Sequence, residues 1–395
     1  MSKTAFLYAT FPRPTETFIR RELRQLSKLG FHPELFSIWR GSKNWDGIKV
    51  NLFPLIRITA LFFWIPYWAW KKPLVFKSIL GHLWGTACPG LQNWNETFLG
   101  LAFALCEARK FQRSNYSVIH AVWATMPASA ALGINQLIDL PFSMGAHAYD
   151  VFRHRGDWLL SIKLKHARTV RTSSQSTAHR LDFLGVTKNQ LVLIHRSIEK
   201  ICFRENYDLF RTDKLSLLTI GRLVEKKGYF LLLNILQTLK NQNVPFELKI
   251  IGGGILGNEI RRKIKLMGLV NEVKILGHID ESEIEKFYLS SDAFLFTGIV
   301  ASNGDRDGIP NVIPEAMSHG LLVLASNRAG SSEAFVDRES GFSLDPYSPS
   351  NWGNLLAQFY RFPQNFVEIR KSAVVRAKSC FSAKVNCEKL KSLFV

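Results

Sequence analysis

The sequence predicts an α/β protein with two lobes, each a doubly wound parallel sheet with helices on both faces. Its 395 residues exceed the usual size of one compact domain. Short apolar runs of strand length alternate with helical stretches in the first half, and the same alternation begins again in the second half. Because residues 200–214 carry no strand pattern, we expect an N-terminal lobe of residues 1–205 and a C-terminal lobe of residues 206–395. The last helices, from about residue 350, can pack back on the first lobe.

The elements of the first half begin in strand, helix, strand order. KTAFLYAT predicts the first strand and HPELFSIW the second. Between them Leu23, Leu26 and Leu29 recur at helical spacing among basic residues, which predicts a helix that buries its leucines against a sheet. Further strands are predicted at YSVIHAVW, DLPFSMGAH, TVRTSS and QLVLIHR.

The second half repeats this pattern, with helices between its strands. The predicted strands are LSLLTIGR, FELKIIGGG, EVKILGH, DAFLFT and LLVLAS. A helix beginning near Pro314 follows the strand DAFLFT. Ligands of open α/β sheets bind beyond the carboxyl ends of the strands, so functional residues are expected in the loops there.

The composition favours an anionic partner. The chain has 51 Lys and Arg against 32 Asp and Glu, a formal charge of +19, which suits nucleic acid, lipid headgroups or a phosphorylated small molecule. Zinc-ligand patterns, RNP-type strands and basic arms are missing from the sequence, so we expect no nucleic-acid partner.

The cysteines and the N-terminus indicate a cytoplasmic protein. The N-terminus lacks the apolar core of a signal peptide. The cysteines are scattered and form no CxxC pair, which argues against disulfides and a zinc site and favours small buried apolar residues in a reducing compartment. They are Cys88, Cys106, Cys202, Cys380 and Cys387.

A Trp-rich segment, ITALFFWIPYWAW from Ile58 to Trp70, is followed by lysines at 71, 72 and 77. Its length of about 13 residues, interrupted by Pro66, falls short of the roughly 20 that span a bilayer as a helix. Two interpretations remain open, a core helix pair of the first lobe or a segment lying in the headgroup region of a membrane. Other first-lobe cations would add to an anionic-lipid surface: Arg153, Arg155, Lys163, Lys165, Arg168 and Arg171.

Two glycine-containing turns follow strands of the second lobe. In GRLVEKKG, Gly221 permits a tight exit from the strand, and Arg222 and Lys227 supply two cations near a helix start, which suits a diphosphate. The alternative to a diphosphate site is that Arg222 and Lys227 are ordinary solvated charges on the protein surface. The glycines of IIGGG, 252–254, let the backbone approach a ligand or simply make a turn. Neither GxGxxG nor a P-loop is present in the expected place, which disfavours nicotinamide-dinucleotide and NTPase functions.

Two acids stand eight positions apart in RDGIPNVIPEAMSHG. Glu315, in the first turn of the predicted helix, can accept hydrogen bonds from the two hydroxyls of a ribose. Asp307, at the end of the preceding loop, can reach the hydroxyls of an attached sugar. The alternative is a first-turn acid that favours the helix and an aspartate that favours the turn.

Together these motifs resemble the nucleotide-sugar lobe of the GT4 family of retaining glycosyltransferases, which have the GT-B fold. FPRPTETFIRREL and LPFSMGAHAYDVF resemble two first-lobe motifs of its exopolysaccharide and lipopolysaccharide members. The resemblance covers most of the chain. It implies two Rossmann-like lobes whose parallel sheets face a central cleft.

The resemblance also implies a reaction, the transfer of a hexose from a UDP- or GDP-linked donor with retention of configuration. We expect it to need no metal ion, because Arg222 and Lys227 can stabilise the leaving diphosphate and Asp307, which has Asp-x-Asp spacing with Asp305, is assigned to the sugar. The acceptor would be a glycan or lipid-linked precursor, and the enzyme would be peripheral on the inner face of the cytoplasmic membrane. The implied catalytic residues are His147 beside the reacting sugar, Arg222 and Lys227 on the diphosphate, and Asp307 on the sugar. The implied donor-binding residues are Glu16, Gly221, Gly253, Gly308, Ile309, Pro310, Asn311 and Glu315.

Three features depart from the family pattern. The first acid of the acid-x7-acid motif is usually Glu in the family, and Asp307 is one methylene shorter. HAVWA carries Val122 where the family has a second histidine, and HRSIEK carries Ser197 and Glu199 where the family has Gly and Asp. These changes leave open an alternative function, a catalytically inactive protein that binds a nucleotide sugar within a larger assembly.

Overall fold

The computed structural model describes residues 3–13, 16–198, 206–210 and 213–394, without the side chain of Arg155. Contacts divide the chain into two compact units, Met1–His195 with Lys384–Val395, and Arg196–Ala383. The division thus lies at residues 195/196, whereas the sequence prediction was 205/206. Of the helices from residue 350 onward, only residues 384–395 group with the first unit. Glu199 of HRSIEK lies outside the described residues.

The first unit contains one sheet in the order β3-β4-β2-β1-β5-β6-β7-β8 across its described residues. Every neighbouring pair is parallel except β3 with β4. The two short strands β3 and β4 were missed by the sequence prediction. The strands are β1 (Lys3–Phe11), β2 (Glu34–Gly41), β3 (Asn44–Trp45), β4 (Ile48–Leu52), β5 (Tyr116–Ala121), β6 (Phe142–Gly145), β7 (Thr169–Thr172) and β8 (Leu191–Leu193).

Helices pack on both faces of this sheet. The first of them buries Ile19, Leu23 and Leu26, as the apolar spacing predicts, while Leu29 follows its end and is half-buried. The helices of this part are α1 (Thr17–Lys28), α2 (Leu61–Lys71), α3 (Pro73–Gly85), α4 (Leu91–Arg113), α5 (Met126–Ile138), α6 (Tyr149–Phe152), α7 (Leu160–His166) and α8 (Gln175–Phe183).

The Trp-rich segment forms α2, and the lysine-containing stretch after it forms α3. The inner faces of the two helices pack into the unit, where buried Trp68 donates its indole N–H to the Leu105 carbonyl at 3.0 Å. Their outer faces are exposed. The inner faces thus agree with the core-helix interpretation, and the headgroup interpretation of the segment stays a prediction. Among the described residues, no helix has both the length and the apolar character needed to cross a membrane.

Two of the six cations assigned by sequence to an anionic surface are buried in ion pairs. Lys163 Nζ lies 2.5 Å from Asp157 Oδ2, and both side chains are buried. The Arg171 guanidinium donates two hydrogen bonds to the Glu22 carboxylate, at 2.5 and 2.9 Å. The prediction is wrong for Lys163 and Arg171, because a buried charge requires a partner inside the protein. Residues 165 and 168 are exposed, as predicted.

The cysteines differ from one another in burial. Cys106 and Cys387 are buried, as predicted for small apolar residues, and Cys380 is half-buried. Cys88 is exposed, so the prediction is wrong for this residue. Cys202 lies outside the described residues.

The second unit contains a parallel sheet in the order β11-β10-β9-β12-β13-β14 across its described residues. Its central strand β9 lies between β10 and β12, so the carboxyl ends of these three strands are adjacent. The half-buried strand β14 was not predicted. The strands are β9 (Leu215–Ile220), β10 (Phe246–Ile251), β11 (Val273–Gly277), β12 (Ala293–Phe296), β13 (Leu322–Ser326) and β14 (Phe342–Leu344).

The remaining helices complete the second unit, and the final one belongs with the first unit from Lys384 onward. The helix predicted to begin near Pro314 begins at Val312 and is short, with Glu315 in its first turn. The helices are α9 (Tyr229–Asn241), α10 (Gly257–Leu266), α11 (Glu281–Leu289), α12 (Val312–Ser318), α13 (Pro349–Arg361), α14 (Val367–Cys380) and α15 (Ala383–Lys391).

Candidate functional site

Most of the predicted donor residues lie in three loops at one edge of the second unit. Gly221 and Arg222 leave β9, Gly253 follows β10, and the loop carrying Asp307 follows β12. Since these strands are neighbours and parallel, their carboxyl ends place the three loops side by side. The fold therefore brings together residues that are more than eighty positions apart in the chain, from 221 to 307.

The glycines after β10 have different roles. Gly252 has φ +134°, and a Cβ there would lie 2.1 Å from the Gly221 carbonyl oxygen. A Cβ at Gly254 would lie 2.5 Å from the Leu223 carbonyl oxygen. A Cβ at Gly253 would have no atom within 4 Å. Hence Gly252 and Gly254 allow the two loops to pack closely, whereas Gly253 exposes its backbone to open space, as a ligand-binding turn requires.

These neighbouring glycines give a matched pair of substitutions. We expect Gly252→Ala to lower the free energy of unfolding by about 1–3 kcal/mol, because the left-handed backbone and the close carbonyl both oppose a side chain. Gly253→Ala should change stability by less than about 0.5 kcal/mol. It should nevertheless weaken nucleotide binding, which calorimetric titration measures. Unaltered binding by a folded Gly253→Ala variant would remove Gly253 from the donor site.

Two lysines and two aspartates form a compact charged cluster at this edge. Lys227 Nζ lies 2.7 Å from Asp307 Oδ2. Lys226 Nζ lies 3.3 Å from the other oxygen of Asp307 and 3.0 Å from Asp305 Oδ1. Lys227 also lies 4.8 Å from the centre of the Phe296 ring, which closes one side of the cluster.

The cluster shifts the pKa values of its members. Burial would raise the pKa of Asp307, but Lys227 and Lys226 outweigh it and hold the pKa below its ordinary value. Burial lowers the pKa of Lys227, and the neighbouring Asp307 opposes this change. The aspartate is therefore ionised and acts only as an acceptor, while the lysine supplies a positive charge in a largely dry site.

Arg222 lies near enough to this cluster for its charge to help lower the pKa of Lys227. Its side chain is exposed, and among the described residues it makes no ion pair or side-chain hydrogen bond. A guanidinium in this state can bind an incoming phosphate without first leaving another partner.

Glu315 is fixed by side chains from two other positions. The Tyr288 hydroxyl donates to Glu315 Oε2 at 2.8 Å. The ring of His319 stacks on Tyr288 with 4.9 Å between centroids, and its Nδ1 lies 2.7 Å from the Glu315 carbonyl oxygen. Tyr288 thus orients the half-buried carboxylate of Glu315.

The turn from Gly308 to Asn311 is held in place by packing against the rest of the second unit. Pro310 is buried, and the Ile309 side chain packs against the apolar core of the unit. Gly308 lies under Gly330, whose backbone N–H donates to the Asp307 carbonyl at 3.2 Å. Ile309 and Pro310 therefore anchor the turn, and any donor contact from them has to come through the backbone.

In the first unit, His147 follows β6 and is buried. Its ring meets the Trp123 ring edge to face, with 5.3 Å between centroids. A Cβ at Gly145 would lie 2.8 Å from His147 Nε2 and 2.4 Å from the Val122 carbonyl oxygen, so glycine makes room for the imidazole. The position of His147 is thus fixed by its immediate neighbours.

Asp150 holds the loop that carries His147. Its carboxylate accepts the backbone N–H of His147 at 2.9 Å and that of Ala124 at 3.1 Å. Burial raises the pKa of Asp150 to about 6 despite these two hydrogen bonds, which by themselves lower it. A single carboxylate thus ties together the loops that follow β5 and β6.

This pKa shift gives a pH-dependent expectation. The folded protein takes up a proton at Asp150 between about pH 4 and pH 6, where an unfolded aspartate is already ionised. The associated stability is complete below about pH 4 and is lost as the pH rises through about 6. Urea unfolding at about pH 5 and pH 8 measures the free energy of unfolding of wild type and of Asp150→Asn. We expect the value for wild type minus the value for the variant to be smaller at pH 8 than at pH 5. A difference that does not change with pH would contradict this expectation.

Glu16 lies just before α1 and is half-buried, with a long ion-pair distance of 3.7 Å to Arg13. Phe18, two residues later, touches Trp123, the residue that also contacts His147. In the first unit, Trp123 therefore contacts both His147 and the start of the helix that follows Glu16. His120 lies within β5 instead, buried with Nδ1 2.9 Å from Ser143 Oγ, which is a structural position.

The sequence reasoning missed four residues that shape these sites: Lys226, Tyr288, Trp123 and Asp150. Lys226 is adjacent to Lys227, and Asp150 stands three residues after His147, so both were within reach of motif inspection. Tyr288 lies inside a helix with no local motif, and its partner Glu315 is 27 positions away. Only the folded arrangement identifies it.

Part of the chain matches a known protein family. Residues 205–377 match the family model described as glycosyl transferases group 1. The chain is 25% identical over 407 residues to a putative colanic acid biosynthesis glycosyltransferase, WcaL, of Salmonella typhimurium, covering 95% of this chain and 94% of that protein. It is 31% identical over 164 residues to the amylovoran biosynthesis glycosyltransferase AmsK of Erwinia amylovora, which covers 42% of this chain and 40% of the relative.

Solved structures resemble the whole chain in fold. The structure of Anabaena Alr3699/HepE in complex with UDP covers 100% of this chain and 99% of its own, with a TM-score of 0.70 and 16% identity. A sucrose-phosphate synthase from Thermosynechococcus elongatus has a TM-score of 0.70 and 15% identity, with 100% and 98% coverage. The prediction of an α/β protein of the GT-B class, with a parallel sheet in each unit, is confirmed.

Proposed function

We propose that this chain, whose residues 205–377 match the glycosyl transferases group 1 family, transfers a hexose from a nucleoside diphosphate sugar to an acceptor hydroxyl. The proposal rests on the side chains that meet in the loops after β9, β10 and β12 of the second unit. There an exposed Arg222, a half-buried Lys227 and an ionised Asp307 adjoin the open backbone of Gly253. A nucleotide sugar needs cations to bind its diphosphate, carboxylates to accept hydrogen bonds from its hydroxyls, and backbone that it can approach closely.

The cations would stabilise the leaving group. As the bond between sugar and phosphate breaks, negative charge grows on the diphosphate, and positive groups already in place lower the barrier. Arg222 can approach from the exposed side, while Lys227 is held in place by Asp307. Asp307 and Glu315 would accept hydrogen bonds from the hexose and the ribose, respectively.

We further propose that the reaction requires no metal ion. Asp305 and Asp307 are the two closely spaced acids of this loop, and Lys226 contacts both of them. Ammonium groups therefore occupy the position in which a divalent cation would neutralise such a pair. Activity that persists in excess EDTA is expected, and a loss that Mg²⁺ or Mn²⁺ restores would contradict the proposal.

The acceptor is proposed to be a lipid-linked or cell-surface polysaccharide precursor, used at the inner face of the cytoplasmic membrane with retention of configuration. The relatives named for colanic acid and amylovoran biosynthesis support this choice. His147, fixed beside Trp123 and Gly145, is proposed to lie next to the reacting sugar. The donor base is proposed to be uracil or guanine, since known relatives and structures include both a UDP complex and a GDP-mannose-dependent enzyme.

A thermal-shift screen tests this function. The purified protein is heated with UDP, GDP, ADP and their hexose conjugates, alongside Arg222→Ala, Glu315→Ala and the control Arg262→Ala. Arg262 is an exposed arginine on α10 of the same unit. We expect one nucleotide to stabilise wild type and the control but neither of the other variants. No stabilisation by any nucleotide would overturn the proposal, and binding without transfer to any acceptor would indicate an inactive sugar-nucleotide binder.

A further inference from the structure

We propose that the outer faces of α2 and α3 form a docking surface that lies in the headgroup region of an anionic lipid bilayer. This helix-pair surface consists of Phe62, Phe63, Ile65, Trp70, Leu74 and Trp84, with Lys71 and Lys77 among them. The inference deepens the proposed function, because it identifies the part of the chain that would hold the enzyme against the membrane carrying its acceptor.

The exposure of this surface is unusual for side chains of this kind. Phe62 is 95% exposed, Trp84 89%, Trp70 82% and Leu74 79%. Soluble monomers rarely expose large contiguous apolar patches unless the patch binds something. All four residues lie on two successive helices joined at Lys72.

These side chains cannot turn inward, because the opposite faces of both helices are already packed. Trp64 and Trp68 of α2, with Phe76 and Leu83 of α3, contact the clusters formed by α4 and α5. Trp68 is fixed further by its hydrogen bond to Leu105. The helix pair is therefore a firmly attached part of the first unit that presents its apolar outer face to the surroundings.

Charge selects the kind of partner. The chain has no Asp or Glu between Asp46 and Glu96, a stretch that includes both helices. Lys71 and Lys77 are exposed beside the aromatic residues, and Lys71 Nζ lies 5.6 Å from the centre of the Trp68 ring. Protein interfaces are depleted of lysine, whereas Trp, Phe and Lys together are typical of helices in the membrane interface. The surface thus complements anionic lipid better than it complements another protein.

The length of the helices determines how they meet the bilayer. α2 has 11 residues and α3 has 13. At about 1.5 Å per residue they are roughly 17–20 Å long, shorter than the hydrocarbon core of about 30 Å. They are expected to lie in the plane of the headgroups, with Phe and Trp inserted and the lysines at headgroup level.

Vesicle co-sedimentation tests the surface with a matched control. Wild type, Phe62→Ser and Phe183→Ser are incubated with vesicles of phosphatidylcholine alone or with added phosphatidylglycerol, at low and moderate salt. Phe183 is 79% exposed at the end of α8 in the same unit, outside the helix-pair surface. We expect Phe62→Ser to weaken binding to anionic vesicles by about tenfold or more, and Phe183→Ser to leave it unchanged.

A second comparison examines the cations. Lys71→Gln with Lys77→Gln should weaken binding at low salt, whereas Lys165→Gln with Arg168→Gln, exposed basic residues of the same unit, should weaken it less. Equal losses in the two double variants would overturn the assignment of the surface to α2 and α3. So would an absence of preference for anionic vesicles.

Two further readouts separate this inference from its alternatives. If sedimentation velocity shows a dimer that Phe62→Ser abolishes, and vesicles bind neither protein, the surface is a self-association site and the inference is wrong. Nucleotide thermal shift is measured on the same variants and does not depend on vesicles. A nucleotide response without vesicle binding refutes the docking surface alone, and vesicle binding without a nucleotide response refutes the proposed transfer reaction alone.

Discussion

Lys227→Ala is expected to lower kcat/KM by more than about 30-fold, equivalent to about 2 kcal/mol of transition-state stabilisation. The Lys227 ammonium is largely buried and lies 2.7 Å from Asp307, so water cannot replace its charge at low cost. Steady-state sugar transfer measures the loss. Lys240→Ala, which removes a lysine from the far end of α9, is the control and should keep full activity.

The same variant carries a second signature that distinguishes electrostatics from a general loss of structure. Lys227 is the main cation that lowers the pKa of Asp307 against the effect of burial. Without it the pKa of Asp307 should rise, and the acid limb of the pH–rate profile should move to higher pH. Unchanged turnover, or reduced turnover with an unmoved acid limb, would contradict the assigned pairing.

The donor-site residues that could be predicted are those that lie close together in the sequence and form short motifs. Gly221, Arg222 and Lys227 fall within one turn, and Asp307 and Glu315 fall within one loop and helix start. The contribution of Lys226 depends on Asp305, 79 positions away. That pairing arises only because β9 and β12 are adjacent, which alternation of strands and helices does not specify.

The strands missed by the sequence prediction are β3, β4 and β14, and two of them are very short. β3 has two residues, β14 has three, and β4 is only partly buried. β3 and β14 are too short to show an apolar pattern, and pairing with a neighbour determines them. β4, with the sequence IKVNL, does alternate apolar and polar residues, so its pattern was present in the sequence and was overlooked. The exposed face of α2 was ambiguous for another reason, since a helix that is apolar almost throughout gives no periodic signal for which side is buried.

Lys163→Met is expected to lower the free energy of unfolding of the first unit by about 3–5 kcal/mol. The Lys163 ammonium donates to Asp157 Oδ2 at 2.5 Å and to the carbonyl oxygens of Ala124 and Thr125 at 2.9 and 3.3 Å. Burial already raises the pKa of Asp157, and Lys163 limits that rise. The variant leaves a buried carboxylate without its cation, whereas methionine fills nearly the same volume.

The intrinsic fluorescence of the protein reports on this unit, because every tryptophan except Trp352 lies within it. Adding Asp157→Asn to Lys163→Met should recover part of the loss, since it removes the unpaired charge and Asn93 can still hydrogen-bond at that position. A cost below about 1 kcal/mol for Lys163→Met, or no recovery in the double variant, would show that the pair is not what holds this loop.

The consequence extends to His147. Lys163 fixes the Ala124 carbonyl, the Ala124 N–H donates to Asp150, and Asp150 holds the backbone of His147. Loss of the buried lysine should therefore lower sugar transfer even where the variant remains folded.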